Sequence, residues 1–151
     1  MDKFTETVVG RKAIERVLDG MAELASAVSV TLGPHGLTVI VLQQDAKTIV
    51  TKDGVTVARS IVPRGTLERA GANLLREAAE SVHSRVGDGT TTATVLAHSL
   101  TLECCKLVAA GYAPRELRCQ LRRAVADAKE ALSLASTCID PSSLRAVVFC
   151  W

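Results

Sequence analysis

Apolar residues return every three or four positions along four separate stretches of this 151-residue chain, with glycine or proline breaks between them. That period lines one face of an α-helix, whereas a half-buried strand repeats every second residue. From about Gly10 to Ser29 the stripe is Ile14, Val17, Leu18, Met21, Leu24 and Val28, opposite Arg11, Glu15, Arg16, Asp19 and Glu23. From Thr66 to Val86 it is Leu67, Ala70, Leu74, Ala78 and Val82. The third stretch, Thr90 to Ala110, is apolar nearly all round, as the buried central helix of a bundle is. The fourth starts at Pro114, and Leu117, Leu121, Ala124, Val125, Ala128 and Leu132 form its expected buried face. Gly111 stands where a glycine ends a helix, and Pro114 suits a first turn.

One region breaks the pattern. Leu37 to Leu42 is short and rich in β-branched residues, which predicts a strand. Gln43 to Ala46 turns the chain, Lys47 to Thr51 returns as the hairpin partner, and Val55 to Ile61 reads as a short helix. The expected fold is therefore mainly all-α, a helical bundle with a small β-hairpin near residues 37–51. The length suits one domain.

Composition narrows the function classes. Apolar residues make up 48% of the chain, yet only two Phe, one Tyr and one Trp are present, so the core must be built from Ala, Val and Leu. A formal charge of +2 gives no electrostatic case for nucleic acid or an anionic membrane as the main partner. Arg115, Arg118, Arg122 and Arg123 read as a solvated helix face. The start of the chain lacks the apolar run of a secretory signal, and the 92–111 stretch is broken by His98, Glu103 and Lys106, so it reads as a buried helix rather than a membrane span. Five cysteines (Cys104, Cys105, Cys119, Cys138, Cys150) without C-x-x-C spacing fit reduced thiols and a cytoplasmic location. Cys104 and Cys105, with His98 nearby, read as buried thiols rather than a metal site, because successive helix positions diverge by about 100°.

Three loops carry the chemistry. Gly87-Asp88-Gly89-Thr90-Thr91-Thr92 joins two expected helices. Its glycines permit close backbone approach, the next helix offers N–H groups, and three hydroxyls add donors, a combination that can cradle a polyphosphate. Asp88 would repel phosphate unless a cation lies between them, which suits an Mg²⁺ ligand. The same hexapeptide also reads as a plain turn with an Asp or Thr helix cap, and its residues alone leave both readings open. No G-x-x-x-x-G-K-[ST] loop occurs. Thr31-Leu32-Gly33-Pro34 and Lys52-Asp53-Gly54 are two further turns, each structural when taken alone.

Taken together, TLGPHG (31–36), TIVTKDGVTVARSI (48–61), GDGTTTATVLA (87–97) and AAGYAP (109–114) resemble the equatorial domain of the group I chaperonins, the bacterial and organellar GroEL family. Lys52-Asp53-Gly54-Val55-Thr56 separates this likeness from the archaeal and eukaryotic cytosolic chaperonins, which read N-D-G-A-T there. The resemblance implies a bundle of the chaperonin equatorial type, ATP binding with Mg²⁺, and ATP-dependent protein folding and refolding. It implies that Thr31, Leu32, Gly33 and Pro34 pack against the nucleotide and its phosphates. Asp88 would ligand Mg²⁺, and Gly87, Gly89, Thr90, Thr91 and Thr92 would cradle the phosphates. Lys52 would lie beside the nucleotide and a K⁺ site, acting through its carbonyl, and Asp53 would support hydrolysis near the attacking water. The partners implied are chaperonin subunits of a homo-oligomeric ring and, for full-length members, unfolded clients and a co-chaperonin.

The departures define the rest of the expectation. Family members continue into intermediate and apical domains and a returning equatorial half, and this chain stops near the first of these. Residues 1–136 are expected to be the N-terminal half of an equatorial ATP-binding domain. Residues 137–151 are expected to be the start of an intermediate segment or an aberrant tail, with 145–151 resembling a truncation or frameshift end. The second catalytic aspartate of the family lies in the absent part. ATPase turnover therefore follows from the resemblance but not from these residues, and the alternative is a non-hydrolysing fragment that associates with intact chaperonin subunits. His35 stands where Lys or Arg is usual, Val86 where Ala is, and Ala113 where Asn caps the next helix.

Overall fold

The computed structural model describes residues 9–42 and 48–137. Its elements run α1 (Arg11–Ser29), β1 (Val39–Leu42), β2 (Thr48–Thr51), α2 (Gly54–Ser60), α3 (Thr66–Val86), α4 (Thr90–Ala109) and α5 (Pro114–Ala135). The mainly helical fold with one small hairpin is the one the periodicity predicts. β1 and β2 pair antiparallel, Val39 opposite Thr51 and Leu42 opposite Thr48. The turn expected at Gln43–Ala46 and the segment 138–151, with Cys138 and Cys150, lie outside the described residues.

The chain divides into two units, residues 1–102 and 103–151. The core of the first is Met21, Leu24, Ala25 and Val28 of α1, Val57 and Ala58 of α2, and Ala72 and Leu75 of α3. Val39 and Ala97 pack at its edge. Among the described residues no aromatic side chain takes part, so the helices can approach closely. α1 and α3 do so at two glycines: a Cβ on Gly20 would collide with the Glu68 backbone, and one on Gly71 with the Val17 carbonyl. Beside this crossing the Arg16 guanidinium donates to both Glu68 carboxylate oxygens, at 2.8 and 3.1 Å. At the far side Arg76 donates from Nε to the Ala58 carbonyl (3.1 Å) and from Nη2 to that of Ile61 (2.7 Å), which satisfies carbonyls at the end of α2.

Three expected faces need correction. On α3 the buried residues are Gly71, Ala72, Leu75 and Ala79, while Leu74 of the expected stripe is 56% exposed. A backbone-to-backbone crossing selects small residues, so the bulkier stripe points elsewhere. On α4 only Thr90 and Thr94 are buried, and Leu96 and Leu100 stay open. On α5 no residue is buried, and Leu132 is 70% exposed. Amphipathic periodicity reports that a helix has a face to cover, not that the covering partner lies in the same stretch of chain. Among the described residues no helix is long and apolar enough to cross a membrane.

Candidate functional site

Each of the three loops grows out of a helix end in the first unit. α1 stops because Thr31 and Leu32 turn their N–H groups back to Val28 and Ser29 (both 3.0 Å) and Gly33 takes φ +78°, a left-handed value that favours glycine. The Gly36 N–H closes the turn on the Gly33 carbonyl at 2.9 Å. Thr31 is buried; Leu32, Gly33 and Pro34 are exposed.

Asp53 follows β2 and caps α2. Its Oδ1 accepts from the Val55 N–H (3.3 Å), and its Oδ2 accepts from the Thr56 N–H (3.0 Å) and the Thr56 hydroxyl (2.6 Å). Partial burial pushes this carboxyl up, but the Thr56 hydroxyl, the two N–H groups and the charge of His83 together outweigh it, so it lies below the usual aspartate value. Asp53 is therefore a fixed carboxylate, ionised at neutral pH. Lys52, beside it, is exposed.

The third loop is built on two left-handed glycines. Gly87 (φ +83°) ends α3, with its N–H on the His83 carbonyl at 2.9 Å, and Gly89 (φ +78°) precedes α4. Nothing lies within 4 Å of where a Cβ of either would stand, so the loop is open on that side. Asp88 between them is exposed, and its Oδ1 accepts from the Gly89 N–H at 2.6 Å. Thr90 is buried and its carbonyl accepts the Thr94 hydroxyl at 2.8 Å; Thr91 is half-buried and Thr92 exposed. The first N–H groups of α4 have no intrahelical acceptor.

Two contacts bring these loops together. The hydroxyls of Thr31 and Thr91 are 2.9 Å apart, joining the end of α1 to the first turn of α4. Gly54 packs against the same turn: an added Cβ would collide with the Thr91 hydroxyl and lie 3.0 Å from its nitrogen and 3.1 Å from the Thr90 hydroxyl. Thr31, Gly54, Thr90 and Thr91 thus form one junction. Leu32 to Pro34, Lys52, Asp88 and Thr92 extend from it into solvent, with Asp53 adjoining Gly54 in the chain. Of these, sequence reasoning passed over Gly54 as a contact, along with Thr56 and His83. The signal for Gly54 is a glycine directly after a capping aspartate, where a larger residue would serve the helix better.

The open glycine loop, the exposed carboxylate and the helix N-terminus fit a phosphate chain carrying a divalent cation. Only one carboxylate sits in the loop, and among the described residues no three His, Cys, Asp or Glu side chains gather to hold a metal alone. A cation there would take its other ligands from phosphate and water.

The sequence model of the TCP-1/cpn60 chaperonin family matches residues 24–149. In three dimensions the chain is similar to the chaperonin gp146 from the bacteriophage EL 2 (Pseudomonas aeruginosa), solved in the presence of ATP-BeFx, with a TM-score of 0.59 and 34% sequence identity. The match covers 66% of this chain and 18% of that one.

Proposed function

The chain belongs to the TCP-1/cpn60 chaperonin family, and from that premise we propose that residues 31–34, 52–54 and 87–92 form the phosphate half of an Mg-ATP site. The observation that carries the reading is the Thr31–Thr91–Gly54 junction, which holds three loops distant in sequence against one helix N-terminus. In the whole protein this site would drive ATP-dependent folding of client proteins within a ring of like subunits.

Each residue has a physical task. The N–H groups of the first turn of α4 and the Thr92 hydroxyl donate to phosphate oxygens, supported by the helix dipole. Gly87 and Gly89 let the phosphates approach the backbone. Asp88 would hold Mg²⁺, which would neutralise phosphate charge. Leu32 to Pro34 would pack beside the nucleotide, and the Lys52 carbonyl would supply lone pairs to a K⁺ ion. Asp53, held ionised by the Val55 and Thr56 donors, would orient the attacking water and stabilise its developing positive charge; a carboxylate with a lowered pKa is a weak proton acceptor.

A second reading is favoured by α5, none of whose residues is buried: a non-hydrolysing polypeptide that associates with intact chaperonin subunits. Equilibrium binding of a labelled ATP analogue to residues 1–151 separates the two. Mg²⁺-dependent binding abolished by Asp88→Ala supports the site; no binding by the unaltered chain leaves only the association.

A further inference from the structure

The hydroxyl–hydroxyl contact at the junction has a direction. The Thr31 Oγ1 lies 2.8 Å from the Val28 carbonyl oxygen and 2.9 Å from the Thr91 Oγ1. A carbonyl oxygen only accepts, and a threonine hydroxyl has one proton. The proton of Thr31 therefore belongs to Val28, and at the second contact Thr31 accepts while Thr91 donates. Thr31 is buried, so water does not compete for its bond to Val28, and Thr91 is half-buried.

We infer that Thr31 is a positioning residue that takes the Thr91 hydroxyl proton and so turns Thr91 into an acceptor within the phosphate loop. The inference rests on the proposed nucleotide site. It divides the three hydroxyls of that loop: Thr92, exposed, keeps a proton for phosphate; Thr91 presents lone pairs, which suit a cation or a water and not a phosphate oxygen. Gly54 supports the arrangement, because a side chain there would displace the Thr91 hydroxyl.

Two measurements decide it. The first is a thermal-denaturation cycle of Thr31→Val, Thr91→Val and the double variant. With the pair formed, the double variant is about three- to tenfold more stable in its folding constant than the two single losses multiplied together, and Thr31→Ser retains the coupling. A product equal to the singles overturns the pairing. The second is binding of Mg-ATPγS in choline buffer, free of metal monovalent cations. Thr92→Val is expected to weaken it about tenfold and Thr91→Val by about twofold, the smaller loss because the Thr91 proton is not available to phosphate. In a Thr31→Val background the Thr91 proton is released to phosphate, and Thr91→Val then weakens binding several-fold, an effect that loss of packing at Thr31 would not produce. Equal weakening by Thr91→Val and Thr92→Val in the unaltered background overturns the proton assignment. If the unaltered chain binds no nucleotide, the proposed function fails, while the denaturation cycle still decides the pairing.

Discussion

At the scale of single residues, two carboxylates hold the ends of helices in place. Asp53 caps α2, and Asp53→Ala should cost about 0.5–2 kcal/mol by chemical denaturation, whereas Asp53→Asn keeps an acceptor and should cost less. The two variants thus separate the cap from the charge. Glu68 is held below its usual value chiefly by the hydrogen bond from Arg16. Both groups have folded-state values below their unfolded ones, 3.8 for Asp53 and 4.5 for Glu68. The stability they add is complete above those unfolded values and disappears as pH falls through the lower, folded ones. An acid titration of unfolding should therefore steepen below about pH 4.5, and Asp53→Asn with Glu68→Gln should flatten that limb. The cap was visible in the sequence only as a turn, because Asp-Gly closes strands as readily as it opens helices.

At the scale of elements, the glycines of the α1–α3 crossing set the fold. Alanine is the better helix former by about 1 kcal/mol, so a free helix would gain from Gly71→Ala. Here the new Cβ meets the Val17 carbonyl, and overpacking of that kind costs about 1–3 kcal/mol, so the substitution should lower the melting temperature. An unchanged or raised melting temperature would show that the helices can separate at little cost. The opposite sign is expected at α5, whose N-cap Ala113 makes no side-chain hydrogen bond. Ala113→Asn should raise helicity and stabilise the helix by about 1 kcal/mol, read by circular dichroism during denaturation. Helix existence and ends were legible because period, glycines and Pro114 act locally. The buried face of α3 was not, since choosing Gly71 over Leu74 depends on how near α1 comes, a distance no window of sequence contains.

At the scale of the whole molecule, the three-loop site and the uncovered helices lead to different expectations. The 87–92 loop is local, and Thr31 and Gly54 secure it within the first unit, so the proposed binding should survive in a polypeptide of residues 1–151. Turnover is another matter: under the proposed function Asp53 is the carboxylate beside the attacking water, and lack of a second water-activating group commonly lowers rates by about 10²–10⁴-fold. Steady-state phosphate release is expected at background; robust release abolished by Asp53→Ala would contradict this. The open apolar side chains of α4 should bind a hydrophobic dye. The loops were legible as three motifs in fixed order, and their meeting was not, since Thr31 and Thr91 join through folding alone. Nuclear magnetic resonance of the labelled 1–151 chain, titrated with an Mg-bound ATP analogue, shows whether the three loops act as one site. Saturable amide shifts are expected in all three of 31–34, 52–54 and 87–92 at one shared affinity, lost together in Asp88→Ala. Shifts confined to 87–92, or different affinities for the three loops, would contradict a single site.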